Sequence, residues 1–174
     1  MSGGVDSAVA AQLLAEQGMD VVGVTMRLWH DPAAARAERS CCAPETVRLA
    51  RETCAAIGIP HLTIDAADRF RREVVDAFAR GYAEGRTPNP CITCNGEVRF
   101  RILSEAAALL GAGRMATGHY ARVTSANPGD SHHPGDSPRG GDCPRVLGRA
   151  ADPAKDQSYM LARLDQGTLA RDRK

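Results

Sequence analysis

Two short stretches carry residue types and spacings suited to chemistry. The first is Ser2-Gly3-Gly4-Val5-Asp6-Ser7, which leads directly into a helix-forming run of alanines with Val9, Leu13 and Leu14. Glycines at a helix entrance let backbone N–H groups converge on an anion, and the Ser2 and Ser7 hydroxyls add donors, so the string reads as a phosphate cradle. No Gly-Lys-Ser/Thr follows, which disfavours γ-phosphate transfer of the ordinary P-loop type. Asp6, a carboxylate beside phosphates, is useful chiefly when Mg²⁺ stands between them. A plain Gly-Gly turn with a Ser/Asp cap is the bland alternative, and the length of the string weighs against it. The second stretch runs from Pro88 to Asn95. Pro88 and Pro90 stiffen this loop, and Asn95 is expected to cap a helix, which puts Cys94 beside a partial positive charge that favours thiolate over thiol. Cys94 is therefore a candidate nucleophile. Cys91, three residues earlier, is either a resolving thiol or a partner of Cys94 in holding zinc or an iron–sulfur cluster with help from another ligand. A structural zinc knuckle and a pair of unreactive loop thiols are the alternatives.

The elements that must position these residues follow from periodicity. The cradle opens a short amphipathic helix over 7–17, with Gly18 as a left-handed stop. The nearly continuous apolar run 20–26 fits a strand buried on both faces of a parallel sheet. Pro44 can open a helix carrying Val47, Ala50, Cys54 and Ile57 at helical spacing, with Gly58 as its stop and Cys54 in the core. A strand at 61–64 and a helix over 68–80, marked by Phe70, Val74 and Phe78, continue the alternation. A further helix runs from Asn95 to Leu110 and a short strand over 114–117 leads into Gly118-His119-Tyr120. Alternating helices and strands with short connections predict a three-layer α/β domain, a parallel sheet with helices on both faces. The tract 124–144 is mostly Gly, Pro, Ser, Asp and His and reads as a flexible insertion between two hairpin strands, with His132, His133 and Cys143 in a solvated tract.

The composition limits the function classes. The chain has 174 residues, 43% of them hydrophobic and 25% charged, as in one globular domain. No apolar run reaches the roughly eighteen residues of a membrane span, and the N-terminus lacks the basic and apolar regions of a secretory signal, so no membrane association and a cytoplasmic location are expected. The net charge of +1 gives no global polyelectrolyte signal. From Arg86 to Arg122, however, five arginines and two glutamates give a local +3, which suits an RNA backbone. The six cysteines, including the adjacent pair Cys41-Cys42, do not look like a secreted disulfide framework and point to thiol chemistry or metal binding.

The Ser2-to-Ser7 string resembles that of the PP-loop ATP pyrophosphatases, which cleave ATP between its α and β phosphates. Met26-Arg27-Leu28-Trp29, Cys41-Cys42, the block from Gly85 to Asn95, the run from Ala116 to Arg122 and Lys155-Asp156-Gln157-Ser158-Tyr159 are similar, in that order, to the tRNA-specific 2-thiouridylases. That resemblance implies an adenine nucleotide alpha hydrolase-like fold, with its first strand missing and the chain truncated at both ends. It implies ATP at Met1, Ser2, Gly3, Gly4, Val5, Asp6, Ser7, Met26 and Gly118. The target base would lie at Asn89, Pro90 and Cys91, and the catalytic cysteine would be Cys94. His119, Lys155, Asp156 and Gln157 would touch tRNA. Many members have Asp at the position of Cys91, which keeps a cluster-dependent sulfur transfer open. By itself His119 follows a strand and a glycine, at the sheet edge where ligands bind.

The expected organisation is an ATP-binding core over 1–123, the insertion 124–144, and over 145–174 the end of the nucleotide domain with the start of a tRNA-contacting segment, the C-terminal domains being absent. The expected reaction is Mg-ATP-dependent adenylation of the C2 carbonyl of a wobble uridine in tRNAs of the Lys, Glu and Gln types. Persulfide sulfur would come from a relay protein fed by a cysteine desulfurase, with disulfide chemistry at the cysteines. The family's second cysteine has no counterpart, since Cys143 lies in the insertion. The rivals are a truncated half-enzyme that binds ATP without completing thiolation, a PP-loop ligase that amidates its substrate, and a metal or iron–sulfur module built on Cys91, Cys94 and one of Cys41 or Cys42.

Overall fold

The computed structural model describes residues 1–28, 44–125 and 144–173. Helix α1 (Val5–Glu16) is followed by strand β1 (Gly23–Arg27), helix α2 (Pro44–Ile57) and strand β2 (His61–Asp65). β1 and β2 pair in parallel from Gly23 opposite His61 to Arg27 opposite Asp65, and α2 packs on both. Gly18 and Gly58 end α1 and α2 at φ of +73° and +82°, the left-handed values a helix stop needs. Cys54 is fully buried, as its place on the apolar face of α2 predicts.

Helix α3 spans 67–83. It is α-helical at Ala67–Phe70 and Asp76–Ala83 and π-helical at Arg71–Val75. Helix α4 spans 90–109 and repeats the pattern, with α-helical Pro90–Thr93, π-helical Cys94–Arg99 and α-helical Phe100–Leu109. The two π-helical stretches pack on each other. Val74 from one and Cys94 and Val98 from the other share a core cluster with Leu28, Ala66 and Ile102. Leu28 and Val98 are wholly buried, each stabilising the fold by roughly 1.5–3 kcal/mol over an exposed position.

Strand β3 (Met115–Ala116) pairs in parallel with β6 (Asp172–Arg173), which follows α5 (Gln166–Arg171). Strands β4 (Ala121–Ser125) and β5 (Arg145–Arg149) form the expected antiparallel hairpin, Ala121 opposite Arg149. A second cluster of Phe100, Ala121 and Leu161, flanked by Leu147 and Leu164, fastens this hairpin to α4. The architecture is the expected α/β arrangement of parallel strands and helices, with β1–β2 and β3–β6 as separate parallel pairs among the described residues.

Two expectations are corrected. The helix expected to start at Asn95 starts at Pro90, and its cap is Asn89, whose Oδ1 accepts from the N–H groups of Cys91 at 3.0 Å and Ile92 at 3.4 Å. Proline at the first helical position fits, because that N–H has no intrahelical partner. Asn95 lies instead inside the π-helical stretch, 5% exposed. The apolar face read for α1 is also largely uncovered: Val9 and Leu13 are half exposed, and Ala11 is the buried residue of that helix. The readings of Cys41, Cys42, His132, His133 and Cys143 concern residues outside the described ones.

Candidate functional site

The turn entering α1 is held from two sides. Gly3 has φ +72°, and a Cβ there would meet the Thr46 carbonyl oxygen and Cγ2 at 2.7 Å, so α2 buttresses the turn only because position 3 lacks a side chain. Thr25, buried on β1, donates to the Met1 carbonyl at 3.0 Å and lies 2.8 Å from His61 Nε2, while the Met1 amine meets the Val24 carbonyl. Burial, then the Met1 amine, then Arg51 push the His61 imidazole below its ordinary pKa. Within the turn Ser7 Oγ donates to the Gly4 carbonyl at 3.0 Å and accepts from the Ser2 N–H at 3.1 Å, and the Ser2 and Ser7 hydroxyls are 3.1 Å apart. No side chain caps the first turn of α1, whose N–H groups are the donors an anion would use.

Gly118 closes the other side of this turn. A Cβ at Gly118 would lie 2.7 Å from the Ser7 nitrogen and 2.8 Å from the Asp6 carbonyl carbon, so only glycine lets the segment after β3 rest on the start of α1. Next to it, Tyr120 Oη donates to Asp6 Oδ1 at 3.1 Å. Gln157 clasps the Tyr120 backbone in both directions, its amide oxygen accepting from the Tyr120 N–H at 3.0 Å and its own N–H donating to the Tyr120 carbonyl at 2.7 Å. Lys155 Nζ sits 5.4 Å from the centre of the Tyr120 ring, within cation–π range. Tyr120 belongs to the run read as functional, but its tie to Asp6 has no sequence signal because 114 residues separate them.

These elements border a cavity of about 550 Å³ that runs between β1 and β3, a volume typical of small-molecule sites. Of the residues expected at the nucleotide, Met1, Ser2, Asp6, Ser7, Met26 and Gly118 line it, as do His119 and Gln157, whereas Gly3, Gly4 and Val5 do not. α4 adds Arg99 and Phe100 to the same wall. His119 is fixed by its Nδ1 at 3.0 Å from Thr117 Oγ1, its ring 6.1 Å from that of Phe100. A smaller recess of about 230 Å³ lies among Asp6, Tyr120, Lys155 and Gln157.

Cys91 and Cys94 lie outside that cavity wall, at the start of α4. Cys91 is exposed and Cys94 is buried, 8% accessible, and both are thiols rather than halves of a disulfide. With the cap at Asn89, Cys91 occupies the first helical turn and Cys94 the next, so Cys94 does not stand directly at the helix end as expected. Pro88 is seated against Gly81 of α3, where a Cβ would come within 2.9 Å of Pro88 Cγ. Asp156 is committed internally, accepting from the Ala150 N–H at 2.8 Å and the Ser158 hydroxyl at 2.9 Å. Among the described residues no group of three His, Cys, Asp or Glu side chains is arranged to hold a metal, so Cys91 and Cys94 do not by themselves supply the ligand set of a cluster. A single carboxylate, Asp6, on the cavity wall in the first turn of α1 fits the donor chemistry of Mg²⁺, which binds through one or two carboxylates together with substrate phosphates.

Parallel strand pairs flanked by helices, with a glycine turn at the head of the first helix, define an α/β domain of the HUP class. The chain belongs to the tRNA methyl transferase HUP domain family, whose model matches residues 1–172. It is 48% identical over 98% of its length to a protein of Roseiflexus castenholzii named tRNA-specific 2-thiouridylase MnmA. Proteins of the same name from Chloroflexus aurantiacus and Heliobacterium modesticaldum are 46% and 42% identical over 98% of the chain. The chain spans 46%, 44% and 41% of the lengths of these three relatives, less than half of each.

Proposed function

We propose that this chain is the nucleotide-binding part of a cytoplasmic tRNA uridine 2-sulfurtransferase. Residues 1–123 form the ATP-binding core and 145–174 begin the surface that meets tRNA. The α-phosphate of ATP lies at the Ser2-to-Ser7 turn, where the N–H groups of α1 and the two serine hydroxyls neutralise charge without moving. Asp6, oriented by Tyr120, would hold Mg²⁺, which supplies charge neutralisation of the pyrophosphate leaving group. The C2 oxygen of the wobble uridine, unstacked from the anticodon, attacks the α-phosphorus, and AMP becomes the group that sulfur later displaces from C2. Cys94 acts in that sulfur transfer: it takes the outer sulfur of a relay protein's persulfide, fed by a cysteine desulfurase, that sulfur displaces AMP from C2, and a second thiol, with Cys91 the exposed neighbour, cleaves the S–S bond to leave 2-thiouridine and a disulfide that an external dithiol reduces. Asn89, Pro90 and Cys91 receive the base, and His119 and Lys155 face the tRNA, of the Lys, Glu or Gln type.

The observation that carries this reading is that α4 begins with Cys91 and Cys94 and, about one turn further on, lines the same cavity as the phosphate cradle through Arg99 and Phe100. One rigid helix thus links the thiols to the nucleotide site. The names of the relatives favour thiolation over the methyl transfer in the family's description. The test is incubation with ATP, Mg²⁺, unmodified tRNA, a cysteine desulfurase with cysteine as the persulfide source and a dithiol reductant, followed by mass spectrometry of nucleosides and nucleotides. The expected products are 2-thiouridine and AMP in equal amounts, with no thiouridine from Cys94→Ser. AMP without thiouridine would support the half-enzyme reading, and full thiolation by Cys94→Ser would remove Cys94 from the mechanism.

A further inference from the structure

We infer that Arg163 is a phosphate-contacting residue for the RNA substrate, stationed beside the Cys91-to-Cys94 turn. This rests on the reading of the chain as tRNA-binding. Arg163 stands between two leucines that fix its backbone: Leu161 is 1% exposed in the cluster with Phe100, Leu164 packs against that cluster, and the Leu164 N–H donates to the Leu161 carbonyl at 3.0 Å. Its aliphatic stem lies across α4 at Gly96, where a Cβ would come within 2.6 Å of Arg163 Cβ, 3.5 Å of Cδ and 3.6 Å of Cγ. Glycine is disfavoured inside a helix, and this contact gives it a reason to be there. The guanidinium reaches back toward the cysteine turn, with Nη1 3.5 Å from Thr93 Oγ1.

The charges nearby are matched and this one is not. Arg101 pairs with Glu97 at 2.7 Å on the same helix, and Arg86 pairs with Glu84, whereas among the described residues Arg163 makes no ion pair. An exposed guanidinium whose stem is already ordered loses little further freedom when an anion arrives. Its place next to Thr93, between the two cysteines in sequence, puts that anion at the entrance to the proposed sulfur-transfer turn. A phosphodiester of the anticodon loop fits these requirements, since it is the charge that must come closest when a base is presented there.

The test measures the affinity of the chain for unmodified tRNA across a salt series, comparing wild type with Arg163→Gln, Arg163→Met, Arg163→Lys and Gly96→Ala. Methionine keeps an apolar stem on Gly96 and drops the charge, so it serves if the glutamine variant does not fold. Loss of one phosphate contact should weaken binding about fivefold near 150 mM salt and flatten the log–log salt slope by about 0.7–0.9. Arg163→Gln and Arg163→Met should show both effects, and Arg163→Lys should keep the wild-type slope. Gly96→Ala, with the arginine still present but its stem displaced, should reproduce the loss, and the Gly96→Ala/Arg163→Gln double variant should be no weaker than Arg163→Gln alone. Weaker binding with an unchanged slope would make Arg163 a brace for the turn and overturn the proposal. If wild type binds tRNA and the charge-free variants bind identically, only the role of Arg163 falls; if wild type binds no tRNA, the tRNA reading falls with it.

Discussion

The hydroxyl of Tyr120 donates to Asp6 Oδ1 at 3.1 Å, tying the end of the chain's central segment to the first turn of its first helix. Because Gln157 grips the Tyr120 backbone from both sides and Lys155 covers the ring, the Asp6 carboxylate is aimed by a segment more than a hundred residues away. A hydrogen bond to a charged group is worth about 1.5–3 kcal/mol when buried and less at an exposed site such as this. Tyr120→Phe should therefore weaken Mg-ATP binding by about 3- to 10-fold while leaving binding of Mg²⁺-free nucleotide nearly unchanged. Calorimetric titration with and without Mg²⁺ reads this directly, and equal losses in both conditions would show that Tyr120 supports the turn rather than the carboxylate.

Gly118 makes a sharper steric demand. The atoms that an added Cβ would meet, the Ser7 nitrogen and the Asp6 carbonyl carbon, are backbone and have no rotamer to yield. Relieving that overlap moves the cradle, at a cost of about 1–3 kcal/mol for overpacking. Gly118→Ala should lower nucleotide affinity by about 5- to 150-fold, measured by displacement of a fluorescent ATP analogue. Gly148→Ala is the comparison, since a Cβ at Gly148 meets only Arg122 atoms at the ordinary distances of 3.8 and 3.9 Å and the residue does not line the cavity. Similar affinities for the two variants would mean that the contact between residue 118 and the turn is not part of the nucleotide site.

What the sequence revealed and what it concealed divides along local and non-local lines. The turn that opens α1, the glycine stops after α1 and α2, the burial of Cys54 and the pairing of the two hairpin strands depend on short-range rules, and they read correctly. The start of α4 did not, because Pro88, Asn89 and Pro90 signal a loop by composition, while Asn-Pro is equally a cap followed by the first helical residue. The π-helical stretches in α3 and α4 have no local mark. They coincide with the place where Val74 meets Cys94 and Val98 in one core cluster across two helices. Gly96 looks like an ordinary glycine until Arg163 is brought onto it, and Gly118, singled out only by the resemblance, shows its steric role once the start of α1 is brought onto it.

The cap at Asn89 can be tested by stability alone. Its Oδ1 satisfies two N–H groups at the first turn of α4, and replacing a good cap with alanine costs about 1 kcal/mol. Asn89→Ala should lower the thermal midpoint by about 2–4 °C, and Asn89→Asp, which keeps the acceptor, should restore it. Since Cys91 occupies that same turn, Asn89→Ala should also speed alkylation of Cys91, followed by peptide mass mapping, with buried Cys94 still slower to react. An alanine variant with an unaltered midpoint would mean that Asn89 does not hold the turn and is available to the base.

Asp156 supplies the pH-dependent prediction. Its carboxyl is held below the ordinary 3.8 first by the Ala150 N–H, with the Ser158 hydroxyl and N–H and nearby Arg149 adding to this against a cost of burial. A carboxyl whose folded pKa lies below its unfolded one binds fewer protons when folded, so its stabilisation is complete above the unfolded value and lost as pH falls through the folded one. Asp156→Asn keeps an acceptor for Ala150 but removes the charge. The midpoint of wild type should exceed that of Asp156→Asn by a constant margin from pH 7 to about 5, and the margin should shrink below pH 4 as the native carboxylate takes up its proton. Calorimetric scans of both proteins over that range measure the difference, in which the other acidic groups cancel. A margin that stayed the same down to pH 2.5 would assign the effect to shape rather than charge and release the carboxylate from its proposed internal role.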